Sequence, residues 1–229
     1  PAEQKEGVEL KQEFASGNFM KTTAFAHTGL IDGKYALSGG MVRKTSDGVI
    51  DGTWADAWAY YFGASYSVNT KNRLEFYVMG APQRHGQNLY KQNTAVYDQE
   101  FAKSLDSYDE AALANYSESK RGRLYNENWS YVDYQYNDMQ WWNGKQHSRY
   151  SENFINEREN FYHKPQINMN WYHQYNDDMS QYTTVYYSGG KGGGTGTYGD
   201  VVWDYASEPT RIVNYNATIA QNMAADTAL

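Results

Sequence analysis

The sequence contains no cysteine, only four prolines, and fewer basic than acidic residues. The lack of cysteine excludes disulfides, thiolate metal sites and cysteine nucleophiles. The net charge of −7 disfavours a nucleic-acid surface, so no nucleic-acid partner is expected. The mean hydropathy is −0.86, and no apolar run approaches the roughly 18 residues of a transmembrane helix, which excludes a helical membrane protein. The chain begins at Pro1 without Met, which predicts a processed chain or part of a longer protein.

Aromatic residues and glycine are plentiful, with 23 Tyr, 7 Trp and 20 Gly. The most regular segment runs from Trp58 to Val68, where alternate positions are apolar and the others are small or polar. A period of two predicts a β-strand, and a strand of about ten residues with aromatics near its ends is typical of a transmembrane barrel. The same composition also fits a soluble carbohydrate-binding β-protein.

Similar alternation along the chain predicts an all-β, antiparallel fold with about seven strands. The predicted strands cover residues 8–15, 19–28, 34–44, 57–68, 73–80, 166–174 and 179–188. Within the second connection, the Asp32-Gly33 pair predicts a type I′ hairpin turn.

The connections between these strands differ in length at the two ends of the sheet. Three turns at one end are tight, at 30–33, 69–72 and 175–178. At the opposite end the connection at 16–18 is also short, whereas long segments follow at 45–56, at 81–163 and after 188. Short periplasmic turns and long extracellular loops are typical of bacterial outer-membrane barrels.

The longest connection, about 83–163, is predicted to be an extracellular loop. Its many aromatics disfavour disorder, and a short helix is predicted within 98–116. Residues 189–199 are predicted to form a glycine-rich loop. No strand is predicted for 200–229.

Several segments resemble TonB-dependent outer-membrane receptors, particularly those of the Bacteroidetes type. Residues 27–36 are similar to the first periplasmic hairpin of these receptors. Residues 46–58, Ser-Asp-Gly-Val-Ile-Asp-Gly-Thr-Trp-Ala-Asp-Ala-Trp, are similar to their loop that leads into an aromatic strand. Further segments at 80–87, 153–161 and 187–190 resemble the same barrels.

This resemblance extends from about residue 6 to 220. It implies a 22-stranded barrel around an N-terminal plug domain, of which this chain would supply the first strands; the plug and the TonB box are absent from it. The implied location is the cell outer membrane. The implied partners are outer-membrane lipid, the plug domain and remaining barrel strands, the TonB complex and a surface lipoprotein. No cofactor is implied.

The candidate ligand-binding residues come from the long loop and its start. They are Arg84, Trp129, Tyr131, Tyr134, Tyr136, Trp141, Trp142 and Arg149. Aromatic faces stack on sugar rings and cap hydrophobic cofactors, and arginines add polar contacts. The alternative is that these aromatics pack the long loop against itself.

Nine apolar strand residues are predicted to face lipid, because they occupy one face of their strands. They are Trp58, Tyr60, Phe62, Leu74, Phe76, Val78, Ile167, Met169 and Trp171. In a soluble β-sandwich the same residues would form a core, so their enclosure by a second sheet would exclude the membrane interpretation.

No catalytic or metal-binding motif stands out. The run Gly189–Gly196 lacks the Gly-Lys-Ser/Thr ending of a phosphate-binding loop. The loop histidines His85, His147 and His163 lack metal-ligand spacing. No Ser-His-Asp arrangement can be singled out, and turn chemistry accounts for Asp177-Asp178. Neither a metal nor enzyme activity is therefore predicted.

These observations lead to a predicted function of active nutrient uptake as a receptor and transporter. A siderophore, a glycan, a peptide and a cobalamin are all compatible with aromatic, polar loops. The alternatives are a soluble carbohydrate-binding β-sandwich and a passive porin-like barrel.

Overall fold

The structure is a computed structural model. It describes residues 4–133, 136, 139–142, 145–151 and 153–225, and for 139–142 and 145–148 it describes the backbone alone. No helix in these residues is both long and apolar enough to cross a membrane.

The first part of the chain consists of consecutive antiparallel strands. They are β1 (Gly7–Ala15), β2 (Phe19–His27), β3 (Tyr35–Ser46), β4 (Ala55–Asn69), β5 (Asn72–Gly80) and the short β6 (Gln83–Gly86). Each of the five predicted strands in this region overlaps one of these. The observed β4 is longer at its start than 57–68, because its pairing with β3 continues to Ala55 opposite Ser46.

The long connection contains short helices and short strands. They are α1 (Thr94–Tyr97), α2 (Gln99–Lys103), α3 (Glu110–Leu113), β7 (Trp129–Tyr131), β8 (Met139–Trp142), β9 (Lys145–Ser148), β10 (Phe154–Asn156) and β11 (Glu159–His163). The helix predicted within 98–116 is thus two helices. The first ends at Lys103, and Asp109 caps the second, because its carboxylate accepts hydrogen bonds from the backbone N–H groups of Ala111 and Ala112.

The remaining elements include two long strands and several short ones. They are β12 (Gln166–Gln174), β13 (Ser180–Ser188), β14 (Lys191–Gly194), β15 (Trp203–Asp204), β16 (Ile212–Val213) and α4 (Tyr215–Ala225). The prediction of a plain loop at 189–199 missed β14. A Cβ at Gly192 would lie 2.9 Å from the Cβ of Tyr162 and 3.0 Å from the Phe161 carbonyl oxygen, so glycine permits this close pairing.

Seven strands form one continuous path in the order β1-β2-β3-β4-β5-β12-β13. In the described part of the chain, the sheet has ten strands, because β6 pairs with β4 and β11, and β11 pairs with β14. The path runs from β1 to β13 without the two pairing, so these residues form an open sheet. β12 pairs with β5 although the 85 residues 81–165 lie between these two strands in the sequence, so the long connection joins neighbouring strands of the sheet.

The tight turns follow from local chemistry. Asp32 and Gly33 have φ values of 49° and 66°, and Lys34 N–H donates to the Ile31 carbonyl at 2.9 Å. Two positive φ values at the central positions define the type I′ turn, so that prediction is confirmed. Gly17 and Asn18, with φ values of 68° and 50°, make the turn between β1 and β2.

The chain divides into two compact units. The first contains Pro1–Ser46, Ala55–Arg84 and Phe161–Gly192, and the second contains Asp47–Trp54, His85–Asn160 and Gly193–Leu229. Among the described residues, eight hydrophobic side chains are buried, and seven of them belong to the second unit. The first unit contributes only Ala36, so the second unit has an apolar core and the first is mainly a two-faced sheet.

Candidate functional site

The register of the first unit brings the predicted lipid-facing residues together on one face of the sheet. Phe62 lies opposite Val78, which lies opposite Ile167. One row further along, Ala64, Phe76 and Met169 are opposite one another. Because directly opposed residues of antiparallel strands point to the same side, all nine predicted residues share this face.

This face, which we call the apolar face, is exposed. Trp58 is 42% exposed, Phe62 44% and Met169 51%, and Tyr60 and Val78 are half-buried. Residues outside the predicted set extend the same rows, with Leu37 opposite Ala64 and Val185 opposite Met169. The apolar face therefore extends across all five strands from β3 to β13.

Aromatic side chains mark both ends of the apolar face. Near the long connections, the Arg43 guanidinium lies 4.7 Å from the centre of the Trp58 ring and forms an ion pair with Asp56. Near the tight turns, the rings of Tyr35 and Tyr66 stack at 4.8 Å. Trp58 and Tyr66 are eight residues apart, about 26 Å along an extended strand and about 20 Å in height if the strand is tilted.

The opposite face of the sheet is polar. Glu13 pairs with Lys11 and Lys21, each at 3.1 Å, and Arg73 pairs with Glu75 at 3.1 Å. The Tyr77 hydroxyl donates to Glu75 at 3.2 Å. If a soluble sheet buried this face, apolar residues would be needed here. The face carries charged residues instead.

Three buried asparagines organise the second unit. The Asn126 amide donates to the carbonyls of Asp51 and Gln87, and the Asn156 amide donates to those of Gly52 and Gln87. Asn128 accepts from the Leu89 N–H and donates to Glu157. We call Asn126, Asn128 and Asn156 the asparagine network. It ties together four segments that are distant in sequence.

We expect Asn156→Ala to destabilise the second unit by about 2 kcal/mol, because it leaves the buried Gly52 carbonyl without its amide donor and removes one of the two amide hydrogen bonds to the Gln87 carbonyl. The Asn156 side-chain oxygen also accepts from the Arg158 N–H at 2.8 Å, and this bond would be lost. Chemical denaturation followed by tryptophan fluorescence measures the change. Asn153→Ala is the matched control, because the Asn153 side chain is exposed. Equal stabilities of the two variants would contradict the role of the network.

A cavity of about 290 Å³ lies within the second unit. Besides Asp51, three parts of the chain supply its wall: the residues on either side of the short 3₁₀ turn at Gly122–Leu124, strand β7, and the segment from β15 to the start of α4. Its described lining residues are Asp51, Arg121, Tyr125, Trp129, Ser130, Tyr131, Asp204, Ser207, Glu208, Ile212, Val213 and Asn214. Its size lies at the lower end of the range for small-molecule sites.

The aromatic wall of the cavity is built by β7. The Trp129 and Tyr131 rings meet edge to face, with centres 4.6 Å apart. Trp129 packs on Gly52, where a Cβ would overlap the indole ring. Tyr131 is 67% exposed, so the pair presents a ring to solvent at the cavity.

Charged groups of the cavity carry more negative than positive charge. The Arg121 Nε and Nη2 atoms each donate to Asp51 at 2.6 Å, and these bonds raise the pKa of Arg121. Asp204 accepts from the Ser207 hydroxyl and from the N–H groups of Ala206 and Ser207, which together lower the pKa of Asp204. Glu208 accepts from the Ser119 hydroxyl at 2.8 Å. The lining thus holds three carboxylates and one guanidinium.

Burial shapes the ionisation of groups beside and behind the cavity. It raises the pKa of Tyr125 to about 12, and the Tyr125 hydroxyl hydrogen-bonds to Thr210. Burial also raises the pKa of Glu127, whose carboxylate accepts from the Gln92 amide. The Tyr125 hydroxyl is therefore neutral at physiological pH, and Tyr125 lines the cavity as an uncharged hydrogen-bonding residue.

The structure places the predicted ligand-binding residues in different environments. Trp129 and Tyr131 line the cavity, whereas Arg149 is buried and donates to the Tyr136 carbonyl at 3.4 Å. Arg84 belongs to the first unit, in β6. Tyr134 lies outside the described residues, and so do the side chains of Trp141 and Trp142.

Sequence reasoning missed the polar residues of the cavity. Asp204, Ser207 and Glu208 lie in the segment for which no strand was predicted, and Arg121 lies more than 80 residues away. The available signal was the Asp-x-x-Ser spacing at Asp204, which is typical of a capped turn. In the described part of the chain, no group of three or more His, Asp or Glu side chains could hold a metal ion.

Comparison with known proteins identifies a related fold. No family model and no curated protein matches this chain. The closed and open forms of the ferric-catecholate import receptor Fiu from E. coli K12 are similar to it, with TM-scores of 0.58 and 0.59. Each is 13% identical over 82% of this chain. The chain covers 22% and 24% of those receptors, so it spans about a quarter of their length. Its antiparallel sheet thus has the fold of part of a receptor barrel.

Proposed function

We propose that this chain is part of the barrel wall, with its surface loops, of an outer-membrane TonB-dependent receptor that takes up a scarce nutrient. The observation that carries the proposal is the apolar face, a register-aligned and exposed set of side chains with aromatics at both ends. Such a band is what the lipid-facing surface of an outer-membrane barrel requires.

The distribution of buried residues supports a membrane environment for the first unit. A soluble β-sandwich would cover Trp58 and Phe62 with a second sheet, yet both are more than 40% exposed. In water an apolar surface of this extent would drive association, whereas in a bilayer lipid chains cover it. The polar face, with its ion pairs, then faces the interior of the barrel.

The second unit is proposed to be the surface part of the receptor. Its residues come from the long connections, and its own apolar core and asparagine network allow it to keep a defined shape. Such a unit can carry a binding site. No step of this function requires a catalytic residue, and the chain is proposed not to be an enzyme.

The finer assignment is also a proposal. The Bacteroidetes type rests on the sequence segments at 27–36 and 46–58. The proposed partners are outer-membrane lipid, a plug domain, further barrel strands, the TonB complex and a surface lipoprotein. The neighbours import ferric-catecholates, but a siderophore, a glycan, a peptide or a cobalamin would each suit a receptor of this kind.

Membrane fractionation followed by liposome swelling tests this proposal. The protein should sediment with outer membranes, resist extraction at high pH, and dissolve folded only in detergent. When the full-length receptor that contains this chain is reconstituted in liposomes, it should not admit small sugars, because a plug domain closes the barrel. A folded protein in the aqueous phase would contradict the membrane assignment, and rapid swelling would indicate a passive porin instead.

A further inference from the structure

The cavity of the second unit has an excess of negative charge that its own residues do not neutralise. Asp51 uses both carboxylate oxygens to hold Arg121, so this pair is internally balanced. Asp204 and Glu208 remain, and in the described residues neither forms an ion pair with a Lys or Arg side chain within 4.0 Å. A ligand with positive charge would supply the missing partner.

Asp204 is held as an anion. Its carboxylate accepts three hydrogen bonds, from the Ser207 hydroxyl and from two backbone N–H groups. These donors favour the ionised form, so the charge persists under mildly acidic conditions. Glu208 lies on the same segment, four residues further along, and also lines the cavity.

The aromatic wall suits a cation as well. The face of a Trp or Tyr ring carries negative electrostatic potential and attracts ammonium and guanidinium groups. Trp129 and Tyr131 meet edge to face, an arrangement that leaves part of the exposed Tyr131 ring open for contact. The carboxylates and the aromatic ring faces of this cavity therefore both favour a positively charged ligand.

We propose that this cavity binds a small organic cation. Its ammonium or guanidinium group would lie between Asp204 and Glu208, and its carbon body would pack against Trp129 and Tyr131. A cavity of about 290 Å³ suits a small amine or a single basic side chain of a peptide. The lining disfavours anionic ligands such as ferric-catecholate complexes, because three carboxylates would repel them. The one guanidinium, that of Arg121, is already paired with Asp51.

This inference does not depend on the membrane assignment, since every described lining residue belongs to the second unit. A neutral polyol would also stack on the aromatic wall, but its binding would not require the two carboxylates of Asp204 and Glu208, which have no cationic side chain paired with them in the described residues. The charge of the ligand therefore separates the two possibilities.

Three probes of similar shape test the proposal on the detergent-purified protein. They are benzyltrimethylammonium, benzyl alcohol and benzoate, and binding is measured by saturation-transfer difference NMR. We expect the cation to bind at least about tenfold more tightly than the alcohol, and benzoate to bind more weakly than either. The affinity of the cation should fall as the salt concentration rises, and that of the alcohol should not.

Glu208→Gln keeps the shape and an acceptor oxygen but removes one charge. We expect it to weaken binding of benzyltrimethylammonium about fivefold and to leave binding of benzyl alcohol unchanged. Glu100→Gln is the control, because Glu100 is an exposed carboxylate that pairs with Lys103 outside the cavity. It should change neither affinity, and thermal melting should show that both variants are folded.

Several outcomes would overturn the proposal. They are equal affinity for the cation and the alcohol, preference for benzoate, no binding of the cation up to about 10 mM, and unchanged cation affinity in the Glu208→Gln variant. Preference for the alcohol would point to a neutral ligand, and the membrane assignment would be unaffected.

Discussion

Val185→Arg should destabilise the protein in a bilayer by about 3 kcal/mol. Val185 is 63% exposed on β13 and lies opposite Met169, in the row of Phe76 and Ala64, which is between the two aromatic ends of the apolar face. In lipid, an arginine at this depth must take its charge into hydrocarbon, which costs roughly 2–4 kcal/mol on the outer face of a barrel. Denaturant unfolding of the protein in lipid vesicles, followed by tryptophan fluorescence, measures the difference.

Thr184→Arg provides a control one residue away. Thr184 is also exposed, but it lies opposite Asn170 and points to the polar face. The same charge placed there should change stability by less than about 1 kcal/mol. If the two arginines had equal effects, the two faces would not be in different environments, and the assignment of the apolar face to lipid would be wrong.

Gly86→Ala should destabilise the second unit by about 3 kcal/mol. A Cβ at Gly86 would overlap the carbonyl oxygen of Gly52, which is rigid backbone and cannot turn away as a side chain could. The same carbonyl accepts from the Asn156 amide at 3.0 Å, so a shift of Gly52 also disturbs the asparagine network. Overpacking against backbone typically costs 1–3 kcal/mol and occasionally more.

Denaturation of the purified variant measures this effect, and Gly7→Ala is the control. A Cβ at Gly7 would have no atom within 4 Å, so this substitution should be nearly neutral. Trp129 packs on Gly52, so Gly86→Ala should also shift the tryptophan emission spectrum. A variant with unchanged stability and emission would show that Gly52 and Gly86 are not in the close contact described.

The sheet of the first unit could be predicted from the sequence because its signals are local. In β4, Trp58, Phe62 and Tyr66 alternate with small or polar residues, and this period is a property of neighbouring positions alone. The Asp32-Gly33 turn likewise depends on two residues that tolerate positive φ. Since a shift of one residue would move every side chain to the other face, this pattern also sets the register.

The second unit could not be predicted in this way because its contacts join distant residues. The Asn126 amide bonds to the Asp51 carbonyl across 75 positions, and Ser130 bonds to the Val213 carbonyl across 83. Strands such as β7 and β16 are two or three residues long, too short to show a period. Trp129 and Tyr131 were predicted as ligand contacts from their type, but the acidic wall that faces them comes from a segment far along the chain.

The account depends most on the claim that the apolar face contacts lipid, and a spin-label scan of β4 tests it directly. The chain has no cysteine, so single cysteines at positions 59 to 66 can be labelled one at a time in liposomes. Collision rates with oxygen, which concentrates in lipid, and with a water-soluble nickel chelate report the surroundings of each label. We predict high oxygen and low nickel accessibility at Tyr60, Phe62, Ala64 and Tyr66, and the loss of that oxygen signal at the positions between them. High nickel accessibility at the even positions, or shielding of those positions from both reagents, would contradict the account.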